Sequence, residues 1–263
     1  MCHQTLLLVE STNMFNCLLP LANFALQFEE PGVDTAEDKG GHHVLRLPER
    51  GVVINFLLFA VYKRTAAEGG FDPSELSLPI LNSALDVLET YGIPLQTSIS
   101  GGSNLFRAFA THCSRSTDSA LQVYSLAASR VPNLHPLAVY SSQFLHSVEL
   151  NSVPDDMDAA YVRRLFMLHI ERVLEFKRLI RSVPLPHCPL PYCDDTNGSA
   201  ITAAWAFAAA YFLFAVTPGL QLSLIDGVMA SVIDKVSCNM CKNILVDRFR
   251  MLKQDWSLVK RTI

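Results

Sequence analysis

Apolar residues recur along most of this chain at three- and four-residue steps, the spacing that gathers them on one face of an α-helix. The clearest run lies between Met157 and Arg181. Its apolar set begins Met157, Tyr161, Val162, Leu165, Phe166 and continues through Ile170, Val173, Leu174, Phe176, Leu179 and Ile180. Arg163, Arg164, Glu171, Arg172, Glu175, Lys177, Arg178 and Arg181 fill much of the remainder and predict a solvated face, with base gathered toward the helix C-terminus. Further helices are predicted over Val52–Tyr62, Ile80–Tyr91, Leu121–Ala128, Pro136–Leu145 and Leu220–Asp234, and around Leu105, Phe106 and Phe109. A last helix after Cys238 carries the stripe Ile244, Leu245, Phe249, Leu252, Trp256 and Val259. Gly92, just beyond Tyr91, fits the position where a helix ends in a left-handed residue. Alternation appears only at His43–Pro48, which predicts a short strand; Glu29–Gly41 reads as a loop. The fold class that follows is mainly α with a small β component.

Ile201–Val216 breaks the periodic pattern, with sixteen residues that hold one threonine and no charge. A membrane span needs about 20 apolar residues. The run ends at Thr217-Pro218-Gly219, a helix stop, so it predicts a core helix buried on all sides.

Joints divide the chain into three regions: residues 1–96, a helical stretch at 103–182, and a helical C-terminal module at 183–263. The third opens on Val183-Pro184-Leu185-Pro186-His187-Cys188-Pro189-Leu190-Pro191-Tyr192-Cys193, whose prolines impose an extended, stiff path. Asp155-Asp156 and Asp194-Asp195 stand where helix caps are expected.

Composition narrows the function classes. Half of the residues are apolar, enough to build a core. With 21 basic and 25 acidic residues the net charge is −4, which gives no global attraction for nucleic acid. Seven cysteines, an odd number, with Cys2, Cys17 and Cys113 isolated, favour a reducing compartment, so a soluble cytoplasmic or nuclear protein is expected. The start, MCHQTLLLVEST, lacks the basic segment of a signal peptide.

Several segments are similar to BTB/POZ-domain proteins of basidiomycete fungi. His3, Leu7 and Ser11 stand in the pattern H-x-x-x-L-x-x-x-S-x-x-F, with Met14 at the aromatic position and Phe15 one residue late. HHVLRLPERGVVINFLLFAVYKR follows, with Tyr62 at the family's closing tyrosine. Ala84, Tyr91, Gly92 and Ile93 in LNSALDVLETYGIPLQ match the next helix. AAYVRRLFMLHIERVLEFKRLI and VSCNMCKNILVDRFRMLKQDWSLVKRTI resemble the family's helical extension and tail. The resemblance implies a BTB/POZ-like domain over 1–96, short of the β-hairpin that precedes the histidine, and a BACK-like extension over 103–182. It implies a non-catalytic adaptor or scaffold that docks on a second copy of itself, a cullin-type ubiquitin ligase or a transcriptional regulator.

Chemistry concentrates in one place. Cys188-x4-Cys193 and Cys238-x2-Cys241 supply four thiols in two close pairs, with His187 adjacent. Four soft ligands are what a tetrahedral zinc ion requires, so Cys188, Cys193, Cys238 and Cys241 are the candidate structural zinc ligands. A zinc-stabilised regulatory factor acting with nucleic acid is the alternative reading. His112, His135, His146 and His169 have no spacing partner of the H-E-x-x-H kind, and no nucleophile elbow or phosphate loop is present. A non-catalytic protein is therefore expected.

Overall fold

The computed structural model describes residues 4–13, 15–18, 36–37, 43–44, 47–62, 73–130, 133–187, 193 and 199–263. It divides into two compact units, Met1–Ala138 and Val139–Ile263. The joint at 97–102 and the proline-rich stretch both fall inside these units.

The N-terminal unit holds α1 (Gln4–Glu10), β1 (Ala36–Glu37), β2 (His43–Val44), α2 (Gly51–Tyr62), α3 (Leu78–Thr90), α4 (Leu95–Ser98), α5 (Asn104–Arg115) and α6 (Thr117–Ser129). Helix α7 (His135–Ser142) carries the chain across the boundary. Strands β1 and β2 pair antiparallel, Ala36 with Val44 and Glu37 with His43. Part of the segment read as a loop, Ala36–Glu37, thus supplies the partner strand.

Helix α3 packs on α2, and α6 on α5, through the fully buried Phe56, Leu57, Leu81, Leu85, Phe109 and Tyr124. Serine hydroxyls open α5 and α6. Ser103 Oγ accepts from the Phe106 N–H and Ser116 Oγ from that of Ser119, each at 3.0 Å. Gly92 closes α3 at φ +70°, as the sequence predicts. Its N–H donates to Glu89 O and that of Ile93 to Leu88 O, the paired bonds of a Schellman stop.

The segment after α1 docks on this stop. Ser11 Oγ donates to Tyr91 O at 2.7 Å, Asn13 Nδ2 to Thr90 O at 2.8 Å, and Phe15 stacks on Tyr91 with ring centres 4.4 Å apart. A Cβ at Gly92 would collide with Asn13, so glycine is required there for space as well as for φ. Phe15, Asn16 and Cys17 occupy the left-handed region consecutively. That costs roughly 1–2 kcal/mol per residue. Ser11 Oγ and Asn13 Oδ1 offset part of the cost by accepting from the Phe15 and Asn16 N–H groups. Of the motif's other positions, His3 and Met14 lie outside the described residues.

The C-terminal unit is built from α8 (Ala159–Ile180), α9 (Ser199–Ala215), α10 (Leu222–Ile233) and α11 (Asn239–Leu258). Asp158, three residues beyond the expected Asp155, caps α8 by accepting from the Ala160 and Tyr161 N–H groups. The core joins Phe176, Trp205, Phe212, Ile225, Phe249 and Trp256. Two arginines are buried within it. Arg172 donates to Pro218 O, Val259 O and Lys260 O and lies over the Trp256 ring. Arg248 donates to Leu179 O and Ser182 O at the C-terminal end of α8 and lies over Trp205. Arg172 is thus a correction to the solvated face read from the sequence. Its guanidinium is needed inside because the turn at Pro218 and the tail after α11 present carbonyls that no helix satisfies.

Helix α9 is the second correction. It buries Ile201, Trp205, Ala208 and Phe212, but its opposite face is open: Phe207 is 53%, Tyr211 45%, Leu213 49% and Phe214 94% exposed. An apolar run without period does not reveal which side meets the core. Among the described residues, no helix is long and apolar enough to cross a membrane.

Candidate metal centre

Residues 182–187 carry no regular structure after α8, as the fixed φ and missing N–H of Pro184 and Pro186 favour, and His187 is half-buried. Cys193 is buried at 6% exposure. Cys238 is the N-cap residue of α11, and Cys241 lies in the first turn, 1% exposed. A Cys-x2-Cys pair at a helix start places its first sulfur at the cap and its second one turn inward, so both reach the same point.

The ligand atoms of His187, Cys193, Cys238 and Cys241 all lie within 4.8 Å of one another. Cys193 Sγ is 3.9 Å from Cys241 Sγ. His187 Nε2 is 3.3 Å from Cys241 Sγ and 3.6 Å from Cys238 Sγ. A tetrahedral zinc with Zn–S near 2.3 Å and Zn–N near 2.0 Å has S···S edges of about 3.8 Å and S···N edges of about 3.5 Å. These three edges lie within about 0.2 Å of those values, and the widest separation in the cluster is no more than 4.8 Å. The cluster can therefore hold a metal ion, with one imidazole and three sulfurs as donors.

Electrostatics favour ligation. The Cys238 thiol is lowered to about 6, chiefly because it accepts the Cys241 backbone N–H at the helix start, with His187 adding to the effect. Cys241 is pushed up to about 12 by burial, then by the neighbouring Cys238 and Cys193 sulfurs. A thiolate is thus already favoured at Cys238, while Cys241 needs a cation to give up its proton.

Three of the four thiols singled out by spacing, Cys193, Cys238 and Cys241, come together here. Cys188 lies outside the described residues. His187 is a fourth potential donor, one that the spacing argument noted only as adjacent. The signal that could have promoted it was the mixed preference of zinc for imidazole and thiolate. Cys113 is buried outside any such cluster among the described residues, and burial raises it to about 12; Cys17 is exposed.

Among the described residues, none of His112, His135, His146 and His169 joins a cluster that could hold a metal, although His146 and His169 lie near enough to interact beside Arg172. His112 Nε2 contacts Leu76 O at 2.7 Å and His169 Nε2 contacts Leu145 O at 2.9 Å, each lowered by burial. Both ring nitrogens of His146 are buried without a hydrogen-bond partner, and burial lowers it to about 3. A groove of about 930 Å³ runs between α8 and α11; its carboxylates include Glu175, paired with Arg178 at 2.6 Å. Compared with protein-family models, curated proteins and solved structures, the chain matches none.

Proposed function

We propose that this chain is a non-catalytic protein-binding scaffold of BTB type whose C-terminal unit is braced by one structural zinc ion. The observation that carries the reading is the convergence of His187, Cys193, Cys238 and Cys241 within 4.8 Å. Four protein donors complete a tetrahedron, leaving no position for a water or substrate, the hallmark of a structural rather than a catalytic zinc site. The ion would tie the proline-rich stretch to the start of α11. The docking of Ser11, Asn13 and Phe15 on Tyr91 and Gly92 supports the BTB-like reading of the N-terminal unit, because the two motifs that carry the resemblance pack as one piece. Partners of the kind the resemblance implies are another copy of the chain or a cullin-type ligase. The charge balance of 21 to 25 gives the nucleic-acid alternative no electrostatic footing.

Elemental analysis of the full chain, expressed with zinc and purified without chelator, tests the metal. One zinc per chain is expected, with loss in His187→Ala and in the double variant Cys238→Ser/Cys241→Ser. Zinc below about one-tenth per chain, against the tight binding typical of structural sites, overturns the reading. Affinity purification then tests docking. Proteins that co-purify with the wild type and leave the zinc-depleted variant support the scaffold, and their complete absence defeats it.

A further inference from the structure

The outer face of α9 bears no charge, yet it is open to water. Along it run Ala203, Ala206, Phe207, Ala210, Tyr211 and Phe214, all exposed. Ala203, Phe207, Ala210 and Phe214 follow each other at steps of four, three and four, the seam of a helix pair. The arrangement has a further symmetry. Lay a second α9 antiparallel on the first, with the two-fold axis between Ala208 and Ala209. Phe207 then meets Ala210, Tyr211 meets Ala206, and Phe214 meets Ala203. Every exposed aromatic ring falls on an exposed alanine. Large on small is the complementarity that lets two helices interdigitate without voids. It is also self-complementary, as a two-fold interface must be.

We propose that two copies of this chain associate through an antiparallel pairing of α9 about this axis. The occupant is argued from the size pattern and from area. Bare aromatic side chains bury roughly 200 Å² each. With the fractional exposures of Phe207, Tyr211, Leu213 and Phe214, one copy offers roughly 500 Å² and a pair roughly 1,000 Å², the lower bound for a specific interface. An interface at this lower bound belongs with reversible rather than permanent dimers. A charged peptide finds no counter-charge on the helix itself, and the single ammonium of Lys235 beside Phe207 is a weak anchor for an acidic one. A membrane surface is disfavoured because interfacial helices place basic residues on their second face, and the second face of α9 is core. Lys235 Nζ lies 4.1 Å from the centre of the Phe207 ring, beside the pair nearest the axis, so this ammonium must swing aside to the solvated edge as Ala210 of the second copy docks. The inference deepens the scaffold reading by naming the partner, and does not depend on the metal.

Sedimentation equilibrium of the full chain at concentrations from micromolar to several hundred micromolar tests it. The wild type is expected to pass from monomer to dimer. Ala210→Glu and Phe207→Lys, at exposed positions and checked for retained helix by circular dichroism, should each weaken the dimer at least 100-fold. Mixing the two variants should restore it, since the new glutamate then faces the new lysine across the axis. A benzophenone side chain at Phe214 should cross-link to the peptide that contains Ala203 of the other copy. A wild-type monomer throughout the range overturns the proposal. So does a dimer indifferent to Ala210→Glu, a mixture that fails to re-associate, or binding to neutral lipid vesicles in place of dimerisation. A monomer that still retains other proteins would defeat self-pairing and spare the scaffold.

Discussion

Replacing Arg248 by methionine should cost the C-terminal unit about 3 kcal/mol. The guanidinium donates to Leu179 O at 2.6 Å and to Ser182 O at 2.9 Å and lies 5.1 Å from the centre of the Trp205 ring. Hydrogen bonds to a charged donor contribute about 1.5–3 kcal/mol each. Methionine keeps the aliphatic volume but leaves both carbonyls without a donor. Against that loss stands the relief of no longer burying a cation, which offsets part of it. The net of about 3 kcal/mol corresponds to a fall in melting temperature of roughly 10 °C for a unit of this size. Both tryptophans of the chain, Trp205 and Trp256, lie in this unit, so fluorescence reports its unfolding free of the other. Urea titration should show a lower midpoint at unchanged slope. Arg248→Lys should fall between, because an ammonium keeps the charge but not the fork. Arg250, paired with Asp247 and 69% exposed, is the control, and its methionine variant should cost less than about 1 kcal/mol. A cost below about 1 kcal/mol for Arg248→Met, or an equal cost for Arg250→Met, would refute the argument that the buried fork holds the end of α8.

Two further outcomes follow from the buried polar groups and the strained turn. His146 is lowered to about 3, so the unfolded chain takes up its proton first as pH falls below the ordinary value of 6.5. Stability is full above that value and is lost on the way down toward 3, by about 2 kcal/mol at pH 5 from this residue. His146→Leu should remove that part of the acid sensitivity in urea titrations at pH 7 and 5, and an undiminished loss would contradict it. Gly92→Ala should destabilise the N-terminal unit by at least about 2 kcal/mol, from the left-handed φ and the collision with Asn13. A change within 0.5 kcal/mol in hydrogen exchange of the α3 amides, on the order of experimental error, would count against the packing described.

The parts of this fold that were legible from sequence are those where period and polarity agree. The α8 stripe placed Tyr161, Leu165, Phe176 and Ile180 inside, and Gly92 announced the end of α3 by the φ it must adopt. Arg172 was misread because a helical wheel weighs charge by type, whereas burial was decided by orphan carbonyls at Pro218, Val259 and Lys260, distant in sequence. The outer face of α9 was hidden because uniform apolarity carries no phase. The thiol pairs pointed to the cluster, but the place of His187 in it depends on backbone direction, and that is not written in spacing.

Cys193 and Cys238 stand on either side of α9 and α10, so a metal seated on the cluster turns the intervening segment into a closed ring. Because the unfolded chain releases the ion, the ring adds stability through the binding free energy of the metal itself, and that stability rises with the free metal concentration. A protease cut at the exposed Thr217, between the two helices, would then open the ring without parting the molecule. The severed pieces would travel together until a chelator unfastened them.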